Sequence, residues 1–482
     1  GGNAGIPLPL AEIATATGGR LAGAADPGIV VSGDAQTDSR EIAPGQIFFA
    51  RRGEETDGHL FAGKAVERGA ALLVVERELD ERELGAPRAV CGRVPQIVVA
   101  DSTTALGDLA REVVRRAREA GGLTIVGITG SNGKTTTKNL VAAMAERIGP
   151  TVASAKSFNN EVGGPLTMLR VDAGTRTLVA EMGASAEGEI ARLVAMAPPH
   201  IGVVLSVGMA HAGGFGGIEA TERTKAEMVR DLPAEAVAVL NRDDPRVARM
   251  AEATAARVRW FGQHPEAEVR ASGIEVAASG TRFELHAAGE MLPVRFRVLG
   301  EHHVTNALAA AAVGLELGLP FADVVATLEA ATLAAPGRMQ LLGGRDGITI
   351  INDAYNASPD SMHAALKTLA QIARPGGRTV AVLGEMSELG DFAGEEHDRI
   401  GLQAVRLRLS QLVVVGAGAR RMHVSAVNEG AWSDGESVFV ESMDEAFEYL
   451  TRTLRPDDTV LVKSSNAAGL AALGDRLGEA YA

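Results

Sequence analysis

The stretch Gly127 to Lys138, GITGSNGKTTTK, holds the residues whose types and spacing best suit chemistry. A glycine-rich turn leaves successive backbone N–H groups pointing at one spot, and a helix opening behind it adds its own partial positive charge there. That spot suits a polyphosphate. Gly130, Ser131, Asn132, Gly133, Lys134, Thr135 and Thr136 are the candidate nucleotide-binding residues, with Lys134 reaching the β- and γ-phosphates and the Thr135 hydroxyl placed for Mg²⁺. The strict pattern G-x-x-x-x-G-K-S/T would need glycine where Ile128 stands, so the match is to a shorter loop, Gly130-x-x-Gly133-Lys134-Thr135. An ordinary turn with a solvated lysine is the alternative. The flanking strand and helix patterns argue against it.

Those flanking patterns belong to a larger alternation. Runs at 125–128, 151–155, 177–181, 201–207 and 237–240 read as strands, with helices between them. Their continuous apolar character suits a parallel sheet covered on both faces, and in such sheets ligands collect at the C-terminal strand ends. Glu181 ends one such strand and His211 follows another. Taken alone, His211 reads as a loop residue and Lys225, on a helix over 219–230, as a solvated helix lysine. Residues 268–298 read as three short strands of an antiparallel meander. Gly300 to Asn306 then opens an Ala-rich helix ending near Gly318, where Asn306 is either a structural amide or a ligand contact.

On the N-terminal side, 5–103 reads as a small α/β unit with strands at 47–50, 71–75 and 96–99 and a helix over 59–68. Two polar clusters interrupt it, Thr37-Asp38-Ser39-Arg40 and Asp57-Gly58-His59. Asp57 could simply cap a helix and Arg40 could form a surface ion pair. A long amphipathic helix from Ser102 to Gly121 bridges into the next unit. On the C-terminal side the pattern resets near Ala334-Ala335-Pro336-Gly337, and strands at 349–351, 379–383, 412–415 and 459–462 describe a second doubly wound sheet. Gly416-Ala417-Gly418 lacks the full dinucleotide fingerprint. Asp353, Tyr355 and Asn356, Glu385 and Glu388, and Lys463 gather at strand ends.

With 482 residues, about three domains are expected. The boundaries fall at 1–103, 104–333 and 334–482. A net charge of −14 without a Lys/Arg run argues against a broad nucleic-acid surface. Cys91 is alone, which excludes an internal disulfide and a Cys-based zinc site. Neither a membrane span nor a signal peptide is read, and a cytoplasmic enzyme is the expectation.

The chain resembles the Mur ligase family, ATP-dependent enzymes that extend the muramoyl peptide of cell-wall precursors. The carriers are TDSR and DGH, then TGSNGKTTTK, SFNNEVGGPLT, EMG at Glu181, VGMAH, TKAE around Lys225, and GEHHVTNALAA; PGRMQ, NDAYNASPDSM, VLGEMSELG and VLVKSSN follow. It departs from the family at Met209, where Glu is common, and in the VLVKSSN tail, where VLVKGSRS is more usual. The stretch Asp353-Ala-Tyr-Asn-Ala-Ser-Pro-Asp-Ser-Met resembles the members that join D-alanyl-D-alanine to UDP-MurNAc-tripeptide. The third-residue ligases read more like D-Y-A-H-x-P-D there.

The resemblance implies an N-terminal substrate domain, a central P-loop parallel-sheet ATPase domain and a C-terminal Rossmann-like domain; a monomer is the separate expectation. It implies a carbamylated Lys225 joining His211, Glu181 and Thr135 around Mg²⁺. Asn306 would contact adenine, Arg338 the γ-phosphate, and Asp353, Tyr355 and Asn356 the nucleotide. Ser39 and Arg40 would hold the UDP moiety, and Asn159, Asn160 and Glu161 would line the muramoyl side. Lys134, Lys225, His211 and Arg338 form the implied catalytic set. The implied reaction phosphorylates a peptide carboxylate with ATP before an amine attacks, with closure of the third domain about Pro336-Gly337. Two rivals stand beside it: a relative with another amine acceptor, and a binding module that hydrolyses ATP only to change shape.

Overall fold

The apolar runs become strands, as the expected α/β class requires. The structure is a computed structural model that describes residues 5–23, 25–85, 94–155, 159–209, 212–332, 337–429, 432 and 435–482. Cys91, His211 and Pro336 lie outside the described residues.

The middle of the chain forms a nine-stranded sheet. In spatial order its strands are Glu290–Phe296, Gly280–Ala287, Val269–Ala277, Arg257–Gly262, Val237–Asn241, Ile201–Val204, Thr124–Thr129, Thr177–Glu181 and Thr151–Ala153. The last seven are mutually parallel. The expected meander is antiparallel, and it continues this sheet through Phe261 beside Val269. Strand Arg257–Gly262 was not foreseen, because charged residues alternate with its apolar ones.

Helices cover both faces. Lys134–Glu146, Glu301–Glu316 and Phe321–Ala330 pack on one side, around Val126, Val179, Val203 and Val239. Asn306 therefore sits in the second turn of a helix, not in the turn before it. The other face is continuous with the first unit: Leu106, Leu109 and Val113 of helix Ser102–Glu119 share one core with Leu10, Phe49 and Val74 and with Leu178, Val204 and Met228.

The first unit holds a five-stranded sheet in the order Arg20–Leu21, Gln96–Val98, Leu72–Val75, Ile47–Phe49, Ala35–Gln36, plus a small hairpin-like pair, Pro7–Pro9 with Val30–Ser32. The expected helix over 59–68 begins as a tighter turn at Gly58–Phe61 and becomes α-helical at Ala62–Glu67. The third unit is a six-stranded sheet ordered Gln340–Gly343, Thr349–Asn352, Thr459–Lys463, Thr379–Leu383, Gln411–Val415, Ser437–Val440. Five of these strands are parallel and the edge strand Gln340–Gly343 is antiparallel. The two edge strands escaped the sequence reading.

Candidate active site

The turn 130–133 joins strand Thr124–Thr129 to helix Lys134–Glu146. Gly130 and Gly133 both have positive φ, and a Cβ on Gly133 would lie 2.2 Å from Asn306 Oδ1. Glycine is thus required at 133, and Asn306 backs the loop from the neighbouring helix. Lys134 Nζ donates to the carbonyl of Gly130 at 2.7 Å, folding the side chain over its own loop. Burial lowers its pKa, with the Glu181 carboxylate partly opposing.

Behind the loop stands Glu181, 1 % exposed at the end of its strand. Thr135 Oγ1 lies 3.1 and 3.2 Å from its two carboxylate oxygens, and Asn159 Nδ2 donates to it at 3.0 Å. Lys138 Nζ is 3.8 Å away, itself buried and donating to the Ser154 carbonyl at 2.8 Å. A hydroxyl and a carboxylate converging at the foot of a phosphate-binding turn suit a hard cation, which takes oxygen ligands and fills its remaining positions with water or phosphate. Among the described residues no group of three or more His, Cys, Asp or Glu side chains is gathered for a metal.

Lys225 is not the solvated helix lysine that its pattern suggests. It is 2 % exposed, on the inner face of helix Ile218–Arg230. Burial drives its pKa well below the ordinary lysine value, and the nearby positive charge of Lys134 pushes the same way, against Glu227.

The third unit supplies the opposite wall. Asp353 Oδ2 pairs with Lys463 Nζ at 2.7 Å, and Lys463 also donates to the Asn356 carbonyl at 3.0 Å. The Arg338 guanidinium lies 4.2 Å from the centre of the Tyr355 ring, and the Tyr355 N–H donates to the Gly337 carbonyl at 2.9 Å. Between the walls is a cavity of about 550 Å³ lined by the phosphate loop, Asn159, Glu181, Asn306, Arg338, Asp353, Tyr355, Asn356 and Lys463. One cavity thus joins a phosphate-binding turn, a buried carboxylate and cations from a second sheet.

Residues 35–113 match the Mur ligase family, catalytic domain; 128–314 match the Mur ligase middle domain; and 337–466 match the Mur ligase, glutamate ligase domain. The chain belongs to the Mur ligase family. It is 45 % identical to the UDP-N-acetylmuramoyl-tripeptide–D-alanyl-D-alanine ligase of Mycobacterium tuberculosis, over 98 % of each chain. Identity to the ligase of the same name in Escherichia coli K12 is 32 %, over 85 % of this chain and 86 % of that one. Among solved structures, MurF from Acinetobacter baumannii superposes with a TM-score of 0.86 at 31 % identity, over 98 % of this chain and 99 % of that one. MurF ligase from Thermotoga maritima in complex with ADP gives 0.78 at 27 %, over 93 % and 97 %.

Of the residues expected to act in this Mur ligase, the substrate set is dispersed. Ser39, Arg40, Asn160 and Glu161 do not line the cavity. Arg40 makes a two-point ion pair with Asp38 at 3.0 and 2.9 Å in solvent, while Asp57 caps the turn at Gly58 and accepts from His59 Nδ1 at 2.7 Å, so both plain alternatives describe these residues here. Asn160 Oδ1 accepts from the N–H groups of Val162 and Gly163 at the start of helix Gly163–Met168. Glu161 lies 3.4 Å from Arg192 in a separate groove along helix Ser102–Glu119.

The sequence reading missed Ser206, Asn241, His302, His303, Asp360 and Ser361, all of which line the cavity. His302 and His303 sit in the quoted GEHHVTN stretch, and adjacent histidines at a helix start were the available signal. Burial pushes His302 down to about 4, with Asp353 opposing, so it is a neutral ring at physiological pH.

Proposed function

We propose that this Mur ligase joins D-alanyl-D-alanine to UDP-MurNAc-tripeptide, consuming ATP and releasing ADP and phosphate in peptidoglycan precursor synthesis. The observation that carries the reading is the single cavity in which Lys134 and Glu181 of one unit face Arg338, Asp353 and Lys463 of another. The near full-length likeness to ligases of that name supports the choice of substrates. The ADP complex of the Thermotoga maritima relative supports the nucleotide.

A peptide carboxylate does not accept an amine at neutral pH. Its oxygen therefore attacks the γ-phosphorus of ATP, the bond to the β-phosphate oxygen breaks, and ADP leaves an acyl phosphate. Such a transfer asks the protein for alignment and charge neutralisation. The loop N–H groups and Lys134, released from the Gly130 carbonyl, hold the β- and γ-phosphates. Arg338 neutralises the transferring group from the opposite wall, and Asn306, Asp353, Tyr355 and Asn356 seat the nucleoside. The amine of D-alanyl-D-alanine then attacks the acyl carbon, the carbon–oxygen bond to phosphate breaks, and the amine proton is lost to solvent.

Thr135 and Glu181 would hold Mg²⁺, with His211 and Lys225 completing a second position; the ion, when bound, offsets charge on the phosphate oxygens. Lys225 fits a carbamate. A lysine kept neutral by burial has a nucleophilic nitrogen that attacks CO₂ and loses a proton, leaving a carboxylate-like anion. Ser39 and Arg40 would hold the uridine end, once Arg40 exchanges Asp38 for a phosphate, and Asn159, Asn160 and Glu161 would border the peptide. The third unit would close about Gly337, whose φ is +76°.

The deciding experiment incubates the protein with UDP-MurNAc-tripeptide and ATP, and measures phosphate release and amide product with D-alanyl-D-alanine against a panel of other amines. Turnover with the dipeptide alone supports the reading. Preference for another amine replaces the acceptor, and phosphate release without any amide replaces ligation with a nucleotide-driven change of shape.

A further inference from the structure

Two contacts tie the third unit to central segments beside the cavity. Ser358 caps helix Pro359–Ile372 of the third unit, accepting from the Ser361 N–H at 3.2 Å, and its hydroxyl donates to Asn132 Oδ1 of the phosphate loop at 2.8 Å. Two residues along, Asp360 Oδ2 accepts the backbone N–H of Met209 at 2.9 Å. A Cβ on Gly208 would sit 1.8 Å from that same oxygen, so the absence of a side chain at 208 is what lets the helix end approach.

The two central segments that receive these contacts are themselves tied together. Ser131 N–H donates to the Ser206 carbonyl at 3.1 Å, Asn132 N–H to Ser206 Oγ at 3.3 Å, and Gly208 N–H to Ser131 Oγ at 2.8 Å. Nearby, Gly213 and Gly390 abut backbone to backbone, a Cβ on Gly213 lying 2.5 Å from the Gly390 N. One helix end thus grips the phosphate loop and the segment 206–209 as a unit.

We infer that Ser358 and Asp360 are positioning residues that make the working shape of the phosphate loop conditional on docking of the third unit. They act through Asn132 and Met209. The Asn132 side-chain oxygen is the atom that Ser358 meets, so its orientation reports docking to the loop. With the unit undocked, the Asn132 amide and the 206–209 segment lose their outside partners, and the loop is free to hold ATP without aligning it. The inference rests on the ligase reading for its activity readout and on shape in solution for its own.

The test compares Ser358→Ala/Asp360→Ala with Asp360→Asn, and adds Gly208→Ala, which approaches the contact from the other side without removing a polar group. The double variant and Gly208→Ala should lose about tenfold or more in kcat, with a smaller change in KM for ATP. X-ray scattering should show a larger radius of gyration for both than for the wild type. Asp360→Asn should keep most of the wild-type rate, because its amide oxygen still accepts the Met209 N–H. Wild-type kcat and radius in the double variant would overturn the inference, as would equal loss in Asp360→Asn and the double variant. If the wild type forms no amide, the ligase reading falls and the scattering comparison alone decides this one.

Discussion

Thr135 Oγ1 stands at nearly equal distance, 3.1 and 3.2 Å, from both oxygens of the Glu181 carboxylate. A hydroxyl has one proton, so it satisfies one oxygen at a time and leaves the other with capacity to accept a ligand. The pair is therefore poised to exchange a mutual hydrogen bond for a shared cation.

Glu181→Ala removes that carboxylate and leaves Lys138 buried beside an empty place. Turnover should fall by about 100-fold or more, at any Mg²⁺ concentration. Stability should drop by about 3 kcal/mol, the cost of leaving one member of a buried ion pair behind. Phosphate release titrated with Mg²⁺ and urea unfolding read the two effects separately. A variant with normal Mg²⁺ dependence would detach Glu181 from the metal.

Lys134 is half-buried, and its ammonium donates to the carbonyl of its own loop. Lys134→Ala should abolish ATP-dependent ligation and leave the circular dichroism spectrum and unfolding midpoint close to wild type. Retained ligation would take the phosphate loop out of the mechanism.

Lys225 carries two expectations. Lys225→Ala should regain part of its activity when short carboxylic acids are added, because they restore the missing anion. No response to acid, together with an unmodified mass for Lys225 in the wild type, would end the carbamate idea.

The second expectation concerns pH and the unmodified amine. Its folded pKa lies below the ordinary 10.5, so between the two values the unfolded chain binds more protons and stability rises with pH. Lys225→Met removes that titration. Its stability advantage should be largest at low pH and vanish as pH approaches 10.5. Urea midpoints at about pH 7 and about pH 10 in CO₂-free buffer check the sign.

Gly133→Ala meets two obstacles, a φ of +86° and the Asn306 side chain 2.2 Å away. Strain alone should cost about 1–2 kcal/mol. Displacing Asn306 should also weaken ADP binding, by calorimetry, more than Thr136→Ser does. Unchanged ADP affinity would separate Asn306 from the nucleotide.

The phosphate loop was legible in the sequence because its function needs a local pattern: glycines for backbone, one lysine and one hydroxyl in consecutive positions. Glu181 was legible because a carboxylate ending an apolar strand of a parallel sheet has one place to point. Lys225 was not, since helix periodicity records only which residues share a face; its burial comes from packing against segments far away in sequence. Lys463 carried less weight because the VLVKSSN tail departs from the more usual VLVKGSRS; its partner Asp353, 110 residues away, is visible only in the fold. The edge strands Gln340–Gly343 and Ser437–Val440 were missed because they are short, with only two or three apolar residues in a row, and half-buried.

Helix Ser102–Glu119 sends its apolar side into a core common to the first two units. Two sheets welded through one oily layer can swing apart only by exposing it to water. A substrate gripped at its nucleotide end by the first unit would offer its far carboxyl at a set reach from Lys134. The weld is then a ruler, and a peptide one residue too short would leave its carboxyl stranded before the phosphate.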